Sequence, residues 1–300
     1  MKVSEVTPER TEELETARTE LAENSSQIQN CKRSLERIED SSILDYLNLP
    51  NCDETSVFED KVLYESEPME FSSPPLNHVE FIEKFKLAEF SANSHTAVYL
   101  HSDLAKLELK LTTYFQQKLL HQEFEQFSNP DFSKSVMVEG CGTDTQGWER
   151  FHLKPCQDFK EKESHAAMYL VGGASTEPFV AYFGRQVLHN PSVLPLNLFS
   201  VGRRYRPAAE AGEGRGLTAT QQSTAVQLFS VSATEQQMRE QHGQIQTLLQ
   251  SSLAGFGQLR VVEKSIESLE KSEVSRISFQ LYLPGSRQFL QVRRCNGDRL

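Results

Sequence analysis

Four arginines fall within thirteen residues of an otherwise acidic chain: Arg203, Arg204, Arg206 and Arg215. They belong to "GRRYRPAAEAGEGRGLTATQQ", residues 202–222, with Gly212, Gly214 and Gly216 in its middle. Guanidinium groups around a glycine-bearing turn are suited to phosphate, which they grip through paired, charge-assisted hydrogen bonds. After Gly216 the residues turn small and uncharged, where phosphate chemistry would need stronger groups. Two readings are open for the arginines: a phosphate site, or a charged surface loop tied down by Glu210 and Glu213. Other constellations are weaker. His152 and Cys156 stand four apart without a third ligand, and His95 and His101 flank an apolar run without a motif. The five cysteines, Cys31, Cys52, Cys141, Cys156 and Cys295, include no CxxC pair, which argues against zinc.

The 300 residues suffice for one large or two ordinary domains. With 31 basic and 42 acidic residues the net charge is -11, which disfavours non-specific adhesion to nucleic acid or membrane. An odd number of irregularly spaced cysteines reads as reduced thiols in an intracellular compartment. No apolar run reaches the roughly 18 residues of a membrane span. The acidic start, "MKVSEVTPERTEELE", resembles neither a secretory signal nor an Arg-rich transit peptide. It implies either a cytosolic protein or a chain without its natural beginning.

Several elements must position these groups. Residues 9–40 read as a helix that Thr7 caps and Pro8 begins. Leu14, Leu21, Ile28 and Leu35 recur every seven residues, with Ala17, Asn24, Cys31 and Ile38 as companions. That is an a/d seam with one polar layer, and no second heptad helix stands elsewhere to cover it. It reads as half of a coiled-coil hairpin or dimer, or as an amphipathic helix on its own domain. Nine acidic against five basic residues between Glu9 and Asp40 are the reverse of a nucleic-acid-gripping bias. Residues 43–77 read as a connector, rich in Pro, Asn and Ser, with a strand in "SVFEDKVLYES". A compact domain, 78–300, follows. It opens with a short helix in "HVEFIEKFKLAEF" and a strand in "TAVYLHS". A longer helix, capped by Ser102, carries an apolar stripe of Leu104, Leu107, Leu111, Phe115 and Leu119, suited to core or subunit contact. From Phe132 on, β-prone runs dominate: "SKSVMVEGCGT", "HAAMYLVGGAS", "LPLNLFSVGRRYRP", "TAVQLFSVSA", "LRVVEKSI" and "SRISFQLYLPGSRQFLQVRR". One helix interrupts them, capped by Thr234, with Met238, Ile245 and Leu249 on one face. Helices on one side of a largely antiparallel sheet make an α+β fold.

This order resembles a class II aminoacyl-tRNA synthetase, and specifically the seryl-tRNA synthetase family. "LPLNLFSVGRRYRP…EGRGL…QLFSV" is similar to its motif 2, and "YLVGGASTEPFVAYF" to the segment whose Thr-x-Glu holds serine. "VMVEGCGT" resembles the stretch after motif 1, and "LYLPGSRQFLQVRRCNGDRL" the stretch before motif 3. The likeness runs over residues 9–300. It implies that motif 3 comes next, where the chain stops, and that residues 1–42 are what remains of a tRNA-binding coiled-coil arm.

The resemblance also assigns roles. Arg206 matches the motif 2 arginine for the α-phosphate, and Arg215 with Gly216 matches its Arg-Gly turn. Other positions depart from the pattern. Ala208 stands for a glutamate that reads adenine, and Ala219 for an arginine on the γ-phosphate. Gln221, Gln222 and Ser223 stand for His-Gln-Phe, whose ring stacks on adenine. Gln227 replaces a glutamate for the serine amine, and Gln291 a metal-binding glutamate. Arg293 and Arg294 stand where serines follow. The serine segment matches as Thr176-Glu177 with altered spacing, or as Ala174-Ser175-Thr176 in register. Losing one preorganised charged contact costs about 10²–10³ in rate, and several are gone together. The pattern is similar to the seryl-tRNA synthetase-like paralogues of insect mitochondria. That implies a mitochondrial matrix location, no aminoacylation, and a protein partner: a mitochondrial seryl-tRNA synthetase or a second copy, paired through residues 103–121. It also implies contact with tRNA or another RNA, and no membrane. ATP and Mg²⁺ are expected only under the alternative, an active serine–tRNA ligase with a remodelled site. A third reading is a fragment of the fold without a function of its own.

Overall fold

The computed structural model describes residues 8–47, 57–91, 97–142, 151–153, 167–184, 186–188, 190–206, 216–270 and 272–298. Chain contacts divide into two units, Met1–Leu49 and Pro50–Leu300. The first holds helix α1, Pro8–Leu47, which begins at the proline. Proline suits this position, because the amide it lacks would have no partner in a first turn. Seam residues Leu21, Ile28, Leu35 and Ile38 are all exposed, Leu21 by 72%.

In chain order the second unit holds β1 (Lys61–Glu65), α2 (His78–Phe85), β2 (Ala88–Phe90), β3 (Val98–Leu100), α3 (Ser102–His121), β4 (Glu125–Phe127) and β5 (Phe132–Lys134). Next come α4 (Ser135–Gly140), β6 (His152–Leu153), β7 (Met168–Leu170), α5 (Glu177–Phe183), β8 (Leu196–Tyr205) and β9 (Gln222–Val231). The unit closes with α6 (Glu235–Leu253), β10 (Leu259–Glu263), β11 (Glu273–Leu283) and β12 (Gln288–Asp298). The strands form sheets ordered β1-β10-β11-β12, β4-β8-β9, β5-β7-β6 and β2-β3. Every ladder among them is antiparallel except β4 against β8. This is the expected class, antiparallel sheets with helices.

Two helices cover two sheets. Leu249 and Leu253 of α6 pack on Leu259, Val261, Ile277, Phe279 and Cys295. Leu119 of α3 packs with Phe124, Phe199 and Val226. Phe115 of α3 and Ile245 of α6 touch both clusters, so the two helices bind the sheets into one core. Each fully buried phenyl ring, such as Phe199 or Phe279, contributes about 1.5–3 kcal/mol.

Three local expectations need correction. Ser102 does not cap α3. The cap is His101, without a side-chain bond, because its N–H is held by the Leu87 carbonyl at 2.7 Å and extends the β2–β3 pairing. "SKSVMVEGCGT" is not a strand throughout. The Ser135 N–H turns to the Ala167 carbonyl, and α4 begins there and drops Val138, fully buried, against Val171. Burial of one valine overrides the β-propensity of two. A further helix, α5, follows "GGAST", with Pro178 in its first turn and Phe179 stacked on Phe229 at 5.0 Å. By contrast, Thr234 caps α6 as expected, accepting from the Gln237 N–H. "LPGSR" does turn β11 into β12, through the pair Leu283–Gln288.

Candidate functional site

The arginine-bearing stretch lies on β8 and its return to β9. The ladder pairs Arg203 with Thr224, Arg204 with Ser223 and Ser200 with Gln227. Strand alternation then gives the first two arginines different neighbours. Arg203 reaches α3: its Nη1 lies 3.3 Å from a Glu108 carboxylate oxygen and 2.7 Å from Thr224 Oγ1. The Thr224 hydroxyl donates to the same carboxylate. Arg203 is thus a clamp between a helix and a hairpin. Its partner is Glu108, ninety-five positions away in sequence, a pairing no local pattern announces.

Arg206 has a different environment. Its N–H donates to the Gln221 carbonyl, Nε to that of Thr220 and Nη2 to that of Thr218, the last two at 2.9 Å. The guanidinium therefore ties together the two ends of the loop. Two of its five N–H donors are committed, and Nη1 meets no acceptor among the described residues. Ala208 and Arg215 lie outside the described residues, as do Glu210 and Glu213.

Gly216 is described, and its conformation explains the residue. Its φ is +133°, and a Cβ built on it would lie 2.2 Å from His78 Nε2. That nitrogen accepts the Leu217 N–H at 3.2 Å. An α2 imidazole therefore fixes the loop's return, followed by a single 3-10 turn, Leu217–Ala219. Ala219 and Thr220 are buried. Ser223 is half-buried opposite Arg204.

The structure brings the predicted serine segment against this hairpin. Gly172, at φ +91°, lies so close that a Cβ would meet the Arg203 carbonyl at 2.1 Å. The Ala174 N–H donates to that carbonyl, and the Tyr205 N–H donates to the Val171 carbonyl. Ser200 Oγ donates to the Gly173 carbonyl at 2.8 Å. Ser175 spends its hydroxyl on the Val171 carbonyl at 2.7 Å, a structural bond. Thr176 then precedes α5 without a side-chain cap, and Glu177 is buried in the first turn. Gln227, opposite Ser200, turns its amide to the neighbouring Leu228 carbonyl.

Gln291 lies on β12, in the other sheet. Its Oε1 accepts from Ser278 Oγ at 2.8 Å, and Gln280 Nε2 approaches that hydroxyl at 3.4 Å. Magnesium requires hard, preferably anionic oxygens in near-octahedral array. Gln291, Ser278 and Gln280 are all neutral, and the first two already satisfy each other. These residues do not fit the cation. Among the described residues, no group of three His, Cys, Asp or Glu is placed to hold a metal. Ser278, Gln280, His78 and Glu108 were not singled out from the sequence, because nothing local marks them. Only strand register, the contact of His78 with the Gly216 turn and that of α3 with β8 and β9 reveal them.

Two open cavities are also present. One, of about 370 Å³, is lined by His78, Phe81, Leu104, Leu217 and Pro284 and so adjoins the Gly216 turn. The other, of about 410 Å³, includes Met69, Phe71, Tyr282 and Arg287. The weaker sequence candidates gain little. His152 packs on Tyr169, while Cys156 and His95 lie outside the described residues, and His101 stands 3.8 Å from Glu89. Among the described residues, Cys31, Cys141 and Cys295 are not in disulfides. No described helix is long and apolar enough to cross a membrane.

No family model matches the chain. Among curated proteins it is 28% identical over 293 residues to the serine–tRNA synthetase-like protein Slimp of Drosophila melanogaster, covering 92% of this chain and 59% of that one. It is 25% identical over 231 residues to the mitochondrial serine–tRNA ligase of Bos taurus, covering 74% of this chain and 43% of that one. The chain therefore spans roughly half the length of these relatives. Among solved structures, the seryl-tRNA synthetase of Pyrococcus horikoshii complexed with ATP superposes over 96% of this chain and 69% of its own, with a TM-score of 0.71 at 19% identity. The cytoplasmic serine–tRNA ligase of Naegleria fowleri, in complex with AMP, gives 0.72 at 15% identity, over 90% of this chain and 66% of its own. At these identities the solved structures speak for the fold, a class II synthetase-like arrangement of antiparallel sheets and helices.

Proposed function

Starting from the chain's relationship to the seryl-tRNA synthetases, we propose that it is a synthetase-like protein that does not aminoacylate. It acts as the dimer partner and regulator of a mitochondrial seryl-tRNA synthetase, in the mitochondrial matrix, and contacts tRNA or another RNA. The observation that carries this reading is the neutral pair of Gln291 and Ser278, which holds a hydrogen bond where activation needs an anionic metal ligand. Ala219, Ser223 and Gln227 extend the loss to the phosphate, base and amine contacts of the adenylate. Charged contacts of this kind act together, so their joint removal leaves little catalysis for a remaining arginine.

Three features supply what a partner needs. Helix α3 exposes Leu107, Leu109 and Leu120, beside the α2 rings Phe81 and Phe85, which are also exposed. Large apolar side chains outside the core mark a surface fit for another subunit. Arg206 keeps an unspent arm for an RNA phosphate. The seam of α1 is open to a second helix, as a tRNA-binding arm would require. Here residues 1–42 are the arm, 43–77 the connector and 78–300 the synthetase-like domain.

Affinity purification of the tagged chain from mitochondria tests the reading. It predicts recovery of a seryl-tRNA synthetase subunit and a native mass above that of a monomer. A strictly monomeric mass with no synthetase recovered rules it out. One observation supports a second reading, an active ligase with a remodelled site: Arg206 and Gly216, which the resemblance assigns to phosphate, are retained, the first bonded to the loop's return and the second at positive φ. That reading requires serine-dependent ATP turnover.

A further inference from the structure

The hairpin β11–β12 has two unlike faces. Ile277, Phe279, Leu281, Val292 and Cys295 share the face packed on α6. The register Arg276–Asn296, Ser278–Arg294 and Gln280–Gln291 places these residues on the other. Among the described side chains at its Arg276 end, two carboxylates are paired with two guanidinium groups. Glu270 takes Arg294 Nη1 at 2.6 Å and Arg276 Nη2 at 3.2 Å. Glu273, with only 1% of its side chain exposed, is gripped by Arg276 through Nε at 3.1 Å and through Nη2. Arg276 Nη1 completes the set on the Ser268 carbonyl at 3.0 Å. Beside this quartet stands the neutral run of Gln280, Ser278 and Gln291, with Ser278 fully buried.

These pairings decide what the face can hold. Among the described side chains at this end, both carboxylates are already spent on the two guanidinium groups, so neither is left to ligate a dication. A Mg²⁺ ion brought to Gln291 would displace the Ser278 hydrogen bond. It would also sit near Arg294, directly across the ladder from Ser278. Like charges in a half-buried setting repel more strongly than in water, because the effective dielectric is lower. Desolvating a strongly hydrated ion without an anionic ligand adds to that cost.

We propose that this face excludes divalent cations, and that the protein-borne charges of Arg276 and Arg294 stand permanently in the cation's place. The inference rests on the synthetase-like reading only for where a cation would belong. Its test needs neither a partner nor catalysis. The geometry makes Arg276 the structural member, since it is the more buried and meets three acceptors. Arg294 is the accessible member, with 31% of its side chain exposed.

Binding of Mn²⁺ to the purified full chain, followed by electron paramagnetic resonance, tests this. Thermal melts in millimolar Mg²⁺ and in EDTA run alongside. The wild type is expected to bind no Mn²⁺ saturably and to melt at the same temperature in both buffers. The variants Gln291→Glu and Gln291→Glu with Arg294→Ser are expected to gain saturable Mn²⁺ binding, the double variant by about tenfold more affinity because a like charge is also removed. Saturable binding by the wild type overturns the proposal. So does a folded double variant that binds no better than the wild type, since charge would then not be what denies the ion. If both variants fail to fold, the wild-type titration alone decides.

Discussion

The imidazole of His78 occupies the space where a side chain on residue 216 would begin. Its Nε2 would lie 2.2 Å from a Cβ there, and it accepts the Leu217 N–H. Glycine is therefore imposed twice, by the positive φ and by the ring. Gly216→Ala is expected to destabilise by about 1–3 kcal/mol, and His78→Ala by about 1–3 kcal/mol through the orphaned N–H. The double variant should cost less than the sum, since removing the ring makes room for the methyl. Urea unfolding of the three variants measures this.

Arg203 and Arg206 are adjacent in the sequence pattern and different in duty. Arg203→Ala should cost about 0.2–1 kcal/mol, as expected for a half-exposed pair with Glu108. It should leave RNA affinity unchanged. Arg206→Lys should weaken RNA binding uniformly across sequences, because a phosphate contact carries no base information. Filter binding at fixed salt separates the two.

The edge strand β1 sets a response to acid. The Arg260 guanidinium bonds the Glu65 carboxyl and holds it below its ordinary value of 4.5. Lys264 does the same for Asp60, below 3.8. A carboxyl whose folded value is depressed stabilises fully above its unfolded value and loses that contribution as pH falls through the folded one. Stability should therefore decline below about pH 4.5. In Arg260→Gln the acid transition should move to higher pH. Burial also holds His242 below 6.5, so its neutral form is favoured and its contribution is lost as pH falls from 6.5 through the depressed value. His242→Gln should remove the upper part of the acid transition. Fluorescence-monitored acid titration reads both.

The seam of α1 is exposed, so polar substitutions there should not disturb the second unit. Ile28→Asp and Leu35→Asp are expected to leave its melting temperature within error of the wild type, while abolishing association through the helix. Calorimetry with sedimentation velocity checks both halves of that expectation.

Much of the fold is legible in the sequence for a physical reason. The strands β8 to β12 and the helix α6 carry strong local signals: alternation, a Thr234 cap, a Pro-Gly turn. Local signals failed where tertiary contacts decide. The β-prone run becomes α4 where Ser135 bonds the Ala167 carbonyl and Val138 packs on Val171, and His101 takes the cap from Ser102 because its N–H bonds the Leu87 carbonyl just past β3. At the site, the cluster of arginines around glycines was legible from type and spacing, and the family resemblance singled out Arg206 and Gly216 within it. The partners that define them were not. Thr218, Thr220, His78 and Glu108 act through carbonyls, a ring nitrogen or a distant carboxylate, and none of these has a sequence signature.

The central claim is that seryl activation has been lost, and ATP–pyrophosphate exchange measures that step directly. With the purified chain, serine, ATP and Mg²⁺, the account predicts exchange no faster than the enzyme-free control. Exchange that rises with serine concentration and disappears on omitting serine would contradict it.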